Sequence, residues 1–119
     1  MDAAEFEAEV VGLLRAQGYD VRTIKSSRTH DVGLILEATG RKVAVQLKRW
    51  NAPVGDRSVY ALFTGRIRHG TDEAWLITTS RFTPKAAKLA RTTGVRLVSG
   101  PELAGWIGDA PEEGDGSEP

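Results

Sequence analysis

A chain of 119 residues without cysteine suits one domain with a real core and excludes disulfides and thiolate metal sites. No apolar run approaches the roughly 20 residues that span a bilayer, and the start, Met1-Asp2-Ala3-Ala4-Glu5, lacks the basic and apolar regions of a signal peptide, so a soluble cytoplasmic protein without membrane contact is expected. The formal net charge of zero hides a division: Asp109, Glu112, Glu113, Asp115 and Glu118 sit in a tail with no base, leaving eleven acids against sixteen bases in residues 1–108, a net charge of about +5 that suits a polyanionic partner.

Along the chain, Phe6, Val10, Leu13 and Leu14 recur at helical spacing over residues 3–17, and Gly18 supplies the usual C-terminal stop. Residues 19–24 alternate as a strand, and 25–30 form a polar loop. Val32–Leu36 and Lys42–Arg49 read as two strands joined by a turn through Glu37-Ala38-Thr39-Gly40-Arg41. After the break at Pro53-Val54-Gly55, Asp56 is the expected cap of a helix through Arg68, with Val59, Leu62, Phe63 and Ile67 facing inward. Ala74–Thr78 reads as a buried strand. Thr83 followed by Pro84 marks a helix start that runs to about Thr92. Residues 95–98 form a last strand and 101–107 a short last helix. The domain is expected over 1–108. The acidic, Gly- and Pro-rich segment 109–119 is expected to be disordered.

Three early strands in succession imply antiparallel pairing, whereas later strands separated by helices imply parallel crossovers. The predicted fold is α/β, a mixed central sheet flanked by helices on both faces.

The most informative stretch is Val43-Ala44-Val45-Gln46-Leu47-Lys48-Arg49-Trp50. By strand alternation Ala44, Gln46 and Lys48 share one face. An amide and an ammonium leaving the end of an apolar strand need partners. Asp31 begins the preceding strand, and an antiparallel hairpin makes those two ends neighbours. An acid beside an amide oxygen makes a hard-oxygen site of the kind Mg²⁺ prefers, with Mn²⁺ as a substitute, and the Leu47 backbone carbonyl is a third candidate ligand. A protonated Lys48 would orient water or stabilise charge on phosphate. The set suits metal-assisted hydrolysis of a phosphodiester; the alternative is a solvated strand end with a snorkelling lysine.

The chain resembles the Mrr-type restriction endonuclease family of the PD-(D/E)XK nuclease superfamily. The residues that carry the resemblance are Phe6-Glu7, Gly18-Tyr19-Asp20-Val21, Leu34-Ile35-Leu36, Val45-Gln46-Leu47-Lys48-Arg49-Trp50, Pro53-Val54-Gly55, Thr78-Thr79-Ser80-Arg81-Phe82-Thr83 and Gly94-Val95-Arg96-Leu97. It implies a restriction endonuclease-like αβββαβ core and a Mg²⁺-dependent, DNA-cleaving domain. Gln46 and Lys48 match the Q-x-K half of the family motif, and Glu7 matches a first-helix glutamate that often faces the metal. The family's remaining acid falls on Gly33 in a gap-free register, with Asp31 two residues earlier. On a regular strand that even step keeps the same face but displaces the carboxylate by about 6.6 Å at roughly 3.3 Å per residue, so either a bulge or a bent strand start, which Gly33 permits, brings Asp31 into place, or the site lacks its main ligand.

Lys25, Arg28, Arg49, Arg57, Arg66 and Arg68 are the candidate phosphate contacts, expected along one edge. His30 reads as an exposed loop residue, His69 as a partner of a helix end, Trp50 as a core or lid residue, and Trp75 and Trp106 as core. Ser80 and Thr83 are expected to cap the helix that follows. Cleaving both strands needs two sites, which implies a homodimer or a partner complex. Three functions follow as expectations: a metal-dependent DNA endonuclease, a decayed endonuclease-fold DNA-binding or assembly subunit, and a branched-DNA (Holliday junction) resolvase.

Overall fold

The computed structural model describes residues 2–24 and 31–108. Lys25, Arg28, His30 and the acidic tail lie outside the described residues. The first helix, α1 (Ala3–Ala16), begins at a reciprocal cap in which Asp2 accepts from Glu5 N and Glu5 accepts from Asp2 N, satisfying two of its orphan donors. Then follow β1 (Asp20–Thr23), β2 (Leu34–Ala38), β3 (Arg41–Lys48), α2 (Asp56–His69), β4 (Glu73–Thr78), α3 (Pro84–Thr93), β5 (Arg96–Val98) and α4 (Gly100–Gly108). The five strands form one sheet in the order β1-β2-β3-β4-β5, antiparallel up to β3 and parallel from β3 to β5. The predicted mixed sheet is therefore present. None of the helices described is long and apolar enough to cross a membrane.

Strand alternation sorts the core into two layers. Leu34, Leu36, Val43, Val45, Trp75 and Ile77 bury against Phe6, Val10, Val11 and Leu14 of α1 and Leu103 of α4. Ile35, Ala44, Ala74 and Leu76 bury on the other face against Val59 and Leu62 of α2 and Ala86 and Ala90 of α3. β3 is apolar on both faces through Val43, Ala44 and Val45, as a central strand between two layers must be.

The structure corrects several local expectations. The β2–β3 turn is the two-residue pair Thr39-Gly40, both at positive φ (50° and 82°). This geometry matches the right-handed twist of the flanking strands, so Glu37, Ala38 and Arg41 pair as strand. Gly55, not Asp56, is the α2 cap, and no side chain bonds there. Ile67 is 58% exposed, and Gly65 takes its place on the buried face. Ser80 does not cap α3; Thr83 does, accepting from Ala86 N with Pro84 in the first turn. Trp50 is 41% exposed rather than core, whereas Trp75 is buried and Trp106 packs against its layer.

A glycine inside α2 is unfavourable for the helix alone, and its reason is a close approach. A Cβ at Gly65 would meet Val32 Cγ2 at 2.7 Å and Asp31 Oδ2 at 3.4 Å. Gly65→Ala should therefore destabilise the chain by about 1–2 kcal/mol despite its gain in helix propensity, because valine is stiff and overpacking dominates. Urea unfolding measures it; a variant as stable as the parent contradicts the close contact.

Candidate active site

The chemistry-bearing residues gather where β3 ends. β3 and β4 are parallel and in register, Gln46 beside Leu76 and Lys48 beside Thr78. Gln46 and Lys48 thus share the α2–α3 face with Ala44 and Leu76. Both are partly buried. Gln46 Oε1 accepts from Leu47 N at 3.0 Å, which fixes the amide near its own backbone. Lys48 Nζ lies 4.9 Å from the centroid of the exposed Trp50 ring, within cation–π range.

The entry to β2 faces Gln46, and it is irregular. Leu34 is in register with Val45, yet Gly33 N also donates to Val45 O at 2.8 Å. Two successive residues address one partner, the arrangement of a β-bulge. The bulge resets the alternation. Leu34 faces α1, but Val32, two residues earlier, packs in the α2–α3 layer. A Cβ at Gly33 would lie 3.1 Å from Gln46 Oε1, so position 33 is the site at which an acid would stand beside the Gln46 amide.

Asp31 follows the displaced chain toward α2. Its side chain is 8% exposed, and its Oδ2 accepts from Arg68 at 2.7 Å, in the notch that Gly65 leaves. The bulge anticipated at Gly33 is thus present, and it carries the Asp31 carboxylate to Arg68. Burying a carboxylate demands a charged partner, and Arg68 supplies one from an exposed position.

Glu7 is exposed on α1. On the helix it stands three, four and seven residues before Val10, Val11 and Leu14, so it extends their stripe. Phe6 and Val10 line a cleft of about 250 Å³ with Thr79 and Gly100, which places the first turns of α1 at the end of the sheet where β4 finishes. Helix α1 packs on the Val45 face, however, opposite to that of Gln46.

The basic residues divide between the two ends of α2. The helix starts after the β3 exit segment and returns to the start of β4; Arg49, next to Lys48 in the chain, and Arg57, in the first turn of α2, are both exposed. Arg66 instead donates to Asp72 O at 3.2 Å, and Asp72 N in turn donates to Lys42 O near the start of β3. Arg66 is thereby engaged at the turn between α2 and β4, and Arg68 is engaged with Asp31. The expected single basic edge is reduced to Arg49 and Arg57 among the described residues.

Mg²⁺ asks for several hard oxygens, carboxylates above all. Among the described residues no three His, Cys, Asp or Glu side chains gather into a group able to hold a metal ion. At Gln46 the neighbouring position is a glycine, and the Asp31 carboxylate is turned to Arg68. The donors as arranged do not fit Mg²⁺.

The restriction endonuclease family model Mrr_cat matches residues 1–107. A comparison with curated proteins finds no match. Among solved structures, the chain is similar to AspBHI, described as a DNA modification-dependent restriction endonuclease, with a TM-score of 0.69, 22% identity and coverage of 87% of this chain and 30% of that one. It is similar to the MspJI restriction endonuclease in complex with a 27-mer oligonucleotide, with a TM-score of 0.59, 21% identity and coverage of 89% and 27%. It is also similar to AF1548, a protein of unknown function, with a TM-score of 0.65, 22% identity and coverage of 76% and 54%. At these identities the likeness is one of fold. The chain spans about half of AF1548 and less than a third of the other two.

If position 33 is the acid slot, Gly33→Asp should create a divalent-ion site, because the tightest contact of the added Cβ is with the end of the Gln46 side chain. Isothermal titration with Mn²⁺ should show binding at least about tenfold tighter than in the parent, a difference of about 1.4 kcal/mol. Identical isotherms contradict the assignment of the slot.

Proposed function

The chain belongs to the Mrr_cat restriction endonuclease family, and from that premise we propose that it is a DNA endonuclease domain that holds the phosphodiester backbone at the exit of β3. The observation that carries this reading is the Gln46–Lys48 pair, set on one face at the end of a central strand, with the Lys48 ammonium over the Trp50 ring and the exposed Arg49 next in the chain. Brought against a phosphate, the Lys48 ammonium would offset the charge that develops on the non-bridging oxygens and orient the attacking water. The Gln46 amide would face the same phosphate from two residues away. Arg49 and Arg57 would position the backbone without reading bases. Trp50 offers an exposed ring face next to the scissile group.

In this reading activity requires Mg²⁺ or Mn²⁺ and a carboxylate beside Gln46. Asp31 is the acid closest to that position along the chain and would have to leave Arg68; Glu7 would have to reach around the sheet edge from α1. Double-strand cleavage calls for two copies, so a homodimer or a partner complex is part of the proposal, as is a cytoplasmic setting. The MspJI neighbour is described with an oligonucleotide, which supports DNA as the partner. A branched-DNA substrate is compatible with the same site.

A second reading is favoured by one specific observation. Gly33, not an acid, stands against Gln46, and Asp31 is paired with Arg68. In that reading the domain binds DNA as an endonuclease-fold subunit without cutting it.

Supercoiled plasmid and a labelled duplex, each given to the parent and to Lys48→Ala, separate the two. Cleavage of the plasmid with Mg²⁺ or Mn²⁺, slowed about a hundredfold or more in Lys48→Ala, supports the nuclease. An intact plasmid together with salt-dependent duplex binding, its log–log salt slope reduced by about one in Lys48→Ala, supports the second reading. An intact plasmid and a duplex affinity indifferent to salt contradict both.

A further inference from the structure

Beyond Lys48 the chain leaves the sheet, yet its carbonyls do not turn to water. Thr78 Oγ1 donates to Lys48 O at 2.7 Å, Thr79 Oγ1 to Trp50 O at 3.0 Å, and Ser80 Oγ to Ala52 O at 2.8 Å. Three consecutive hydroxyls at the end of β4 thus take three alternate carbonyls of the β3 exit. An ordinary parallel ladder would use backbone N–H groups for this. For these three carbonyls the backbone N–H that contributes is Thr79 N, to Lys48 O at 3.2 Å, and side chains extend the pairing past the last strand residue.

The hydroxyl row is itself anchored. Thr78 is fully buried, and its oxygen also accepts from Ser80 N at 3.1 Å. Ser80 O accepts from Gly100 N at 2.9 Å, and a Cβ at Gly100 would lie only 2.3 Å from Thr79 O, so the start of α4 closes tightly on this corner. Downstream, Val54 N donates to Arg81 O and Thr83 N to Val54 O. The segment between β3 and α2 is therefore pinned at Lys48, Trp50, Ala52 and Val54, every second residue. That period aims the side chains of Lys48 and Trp50 the same way, and the ammonium lies over the ring.

We propose that Thr78, Thr79 and Ser80 are positioning residues that set Lys48 and Trp50 for the phosphodiester. The proposal rests on the reading that Lys48 works on the DNA backbone. Its mechanism is separate from that reading: each hydroxyl fixes a main-chain carbonyl, and the carbonyls fix the two side chains between them. Thr79 is the informative member, because it is exposed and its hydroxyl holds the Trp50 carbonyl directly. Replacing it with valine keeps the shape, removes the bond and leaves the core untouched.

Two measurements on Thr79→Val, Thr79→Ser and Lys48→Ala test this, with unfolding curves confirming that each variant folds. In the parent, the Lys48 side-chain methylene next to the ammonium should show an upfield NMR shift from the Trp50 ring. Thr79→Val should lose most of that shift and bind duplex DNA roughly three- to tenfold more weakly, the scale of one hydrogen bond; Thr79→Ser should retain both. An unmoved shift in Thr79→Val overturns the proposal, whatever happens to affinity. A moved shift with unchanged affinity also overturns it wherever Lys48→Ala weakens binding. If Lys48→Ala leaves DNA binding and cleavage unchanged, the reading of the site fails, and the shift alone decides whether the hydroxyls set the geometry.

Discussion

The site depends on a single constraint: β3 must be apolar on both faces in its middle and polar where it ends. It pairs antiparallel with β2 and parallel with β4, and Val43, Ala44 and Val45 are buried between two helical layers. A parallel neighbour cannot be reached by a tight turn, so the chain must leave at Lys48, cross over through α2 and return. That requirement brings the strand exit, the start of α2 and the end of β4 to one corner. Gln46 and Lys48 occupy it because side-chain alternation carries the Ala44 face outward past the end of the core.

The acid is where the fold and the chemistry part. The bulge at Gly33 turns the entry of β2 toward α2, where Gly65 leaves room for Val32 and Asp31. Arg68 then pairs with the buried carboxylate, as burial of a charge demands. The same glycine that faces the Gln46 amide thus releases the acid to another partner. A chain so built sets Gln46 and Lys48 at the exit of β3 and pairs the Asp31 carboxylate with Arg68.

Much of this was legible in the sequence, and the reasons are local. The α1 stripe of Phe6, Val10 and Leu14, the alternation of β3 and the Thr83–Pro84 helix start are patterns within one element, so the order of elements and the mixed sheet could be read directly. What could not be read depends on partners distant in the chain. Ile67 continues the helical stripe of α2 but finds no layer above it, whereas Gly65, a poor helix residue, is required by Val32. Trp50 reads as core or lid because it follows an apolar strand; the chain has already left the sheet there, and the ring is exposed. Ser80 had the composition of a cap, but its hydroxyl goes to Ala52, 28 residues earlier. The candidate bases do not form one edge because Arg57 and Arg66, nine residues apart on α2, are separated by about 13.5 Å at 1.5 Å per residue, and Arg66 and Arg68 are taken by Asp72 and Asp31. A glycine in mid-helix was the one available signal for the Asp31 notch, since such a residue usually has a packing reason.

The central claim is that DNA meets this chain at the exit of β3. Mapping amide chemical-shift changes on titration with a short duplex tests it most directly. The account predicts the largest changes at Lys48, Arg49, Trp50 and Arg57, with Thr79 and Ser80 following through their bonds to the exit segment. Changes centred instead on Arg66 and the far end of α2, or on the α1–α4 cleft around Phe6 and Leu103, would contradict it.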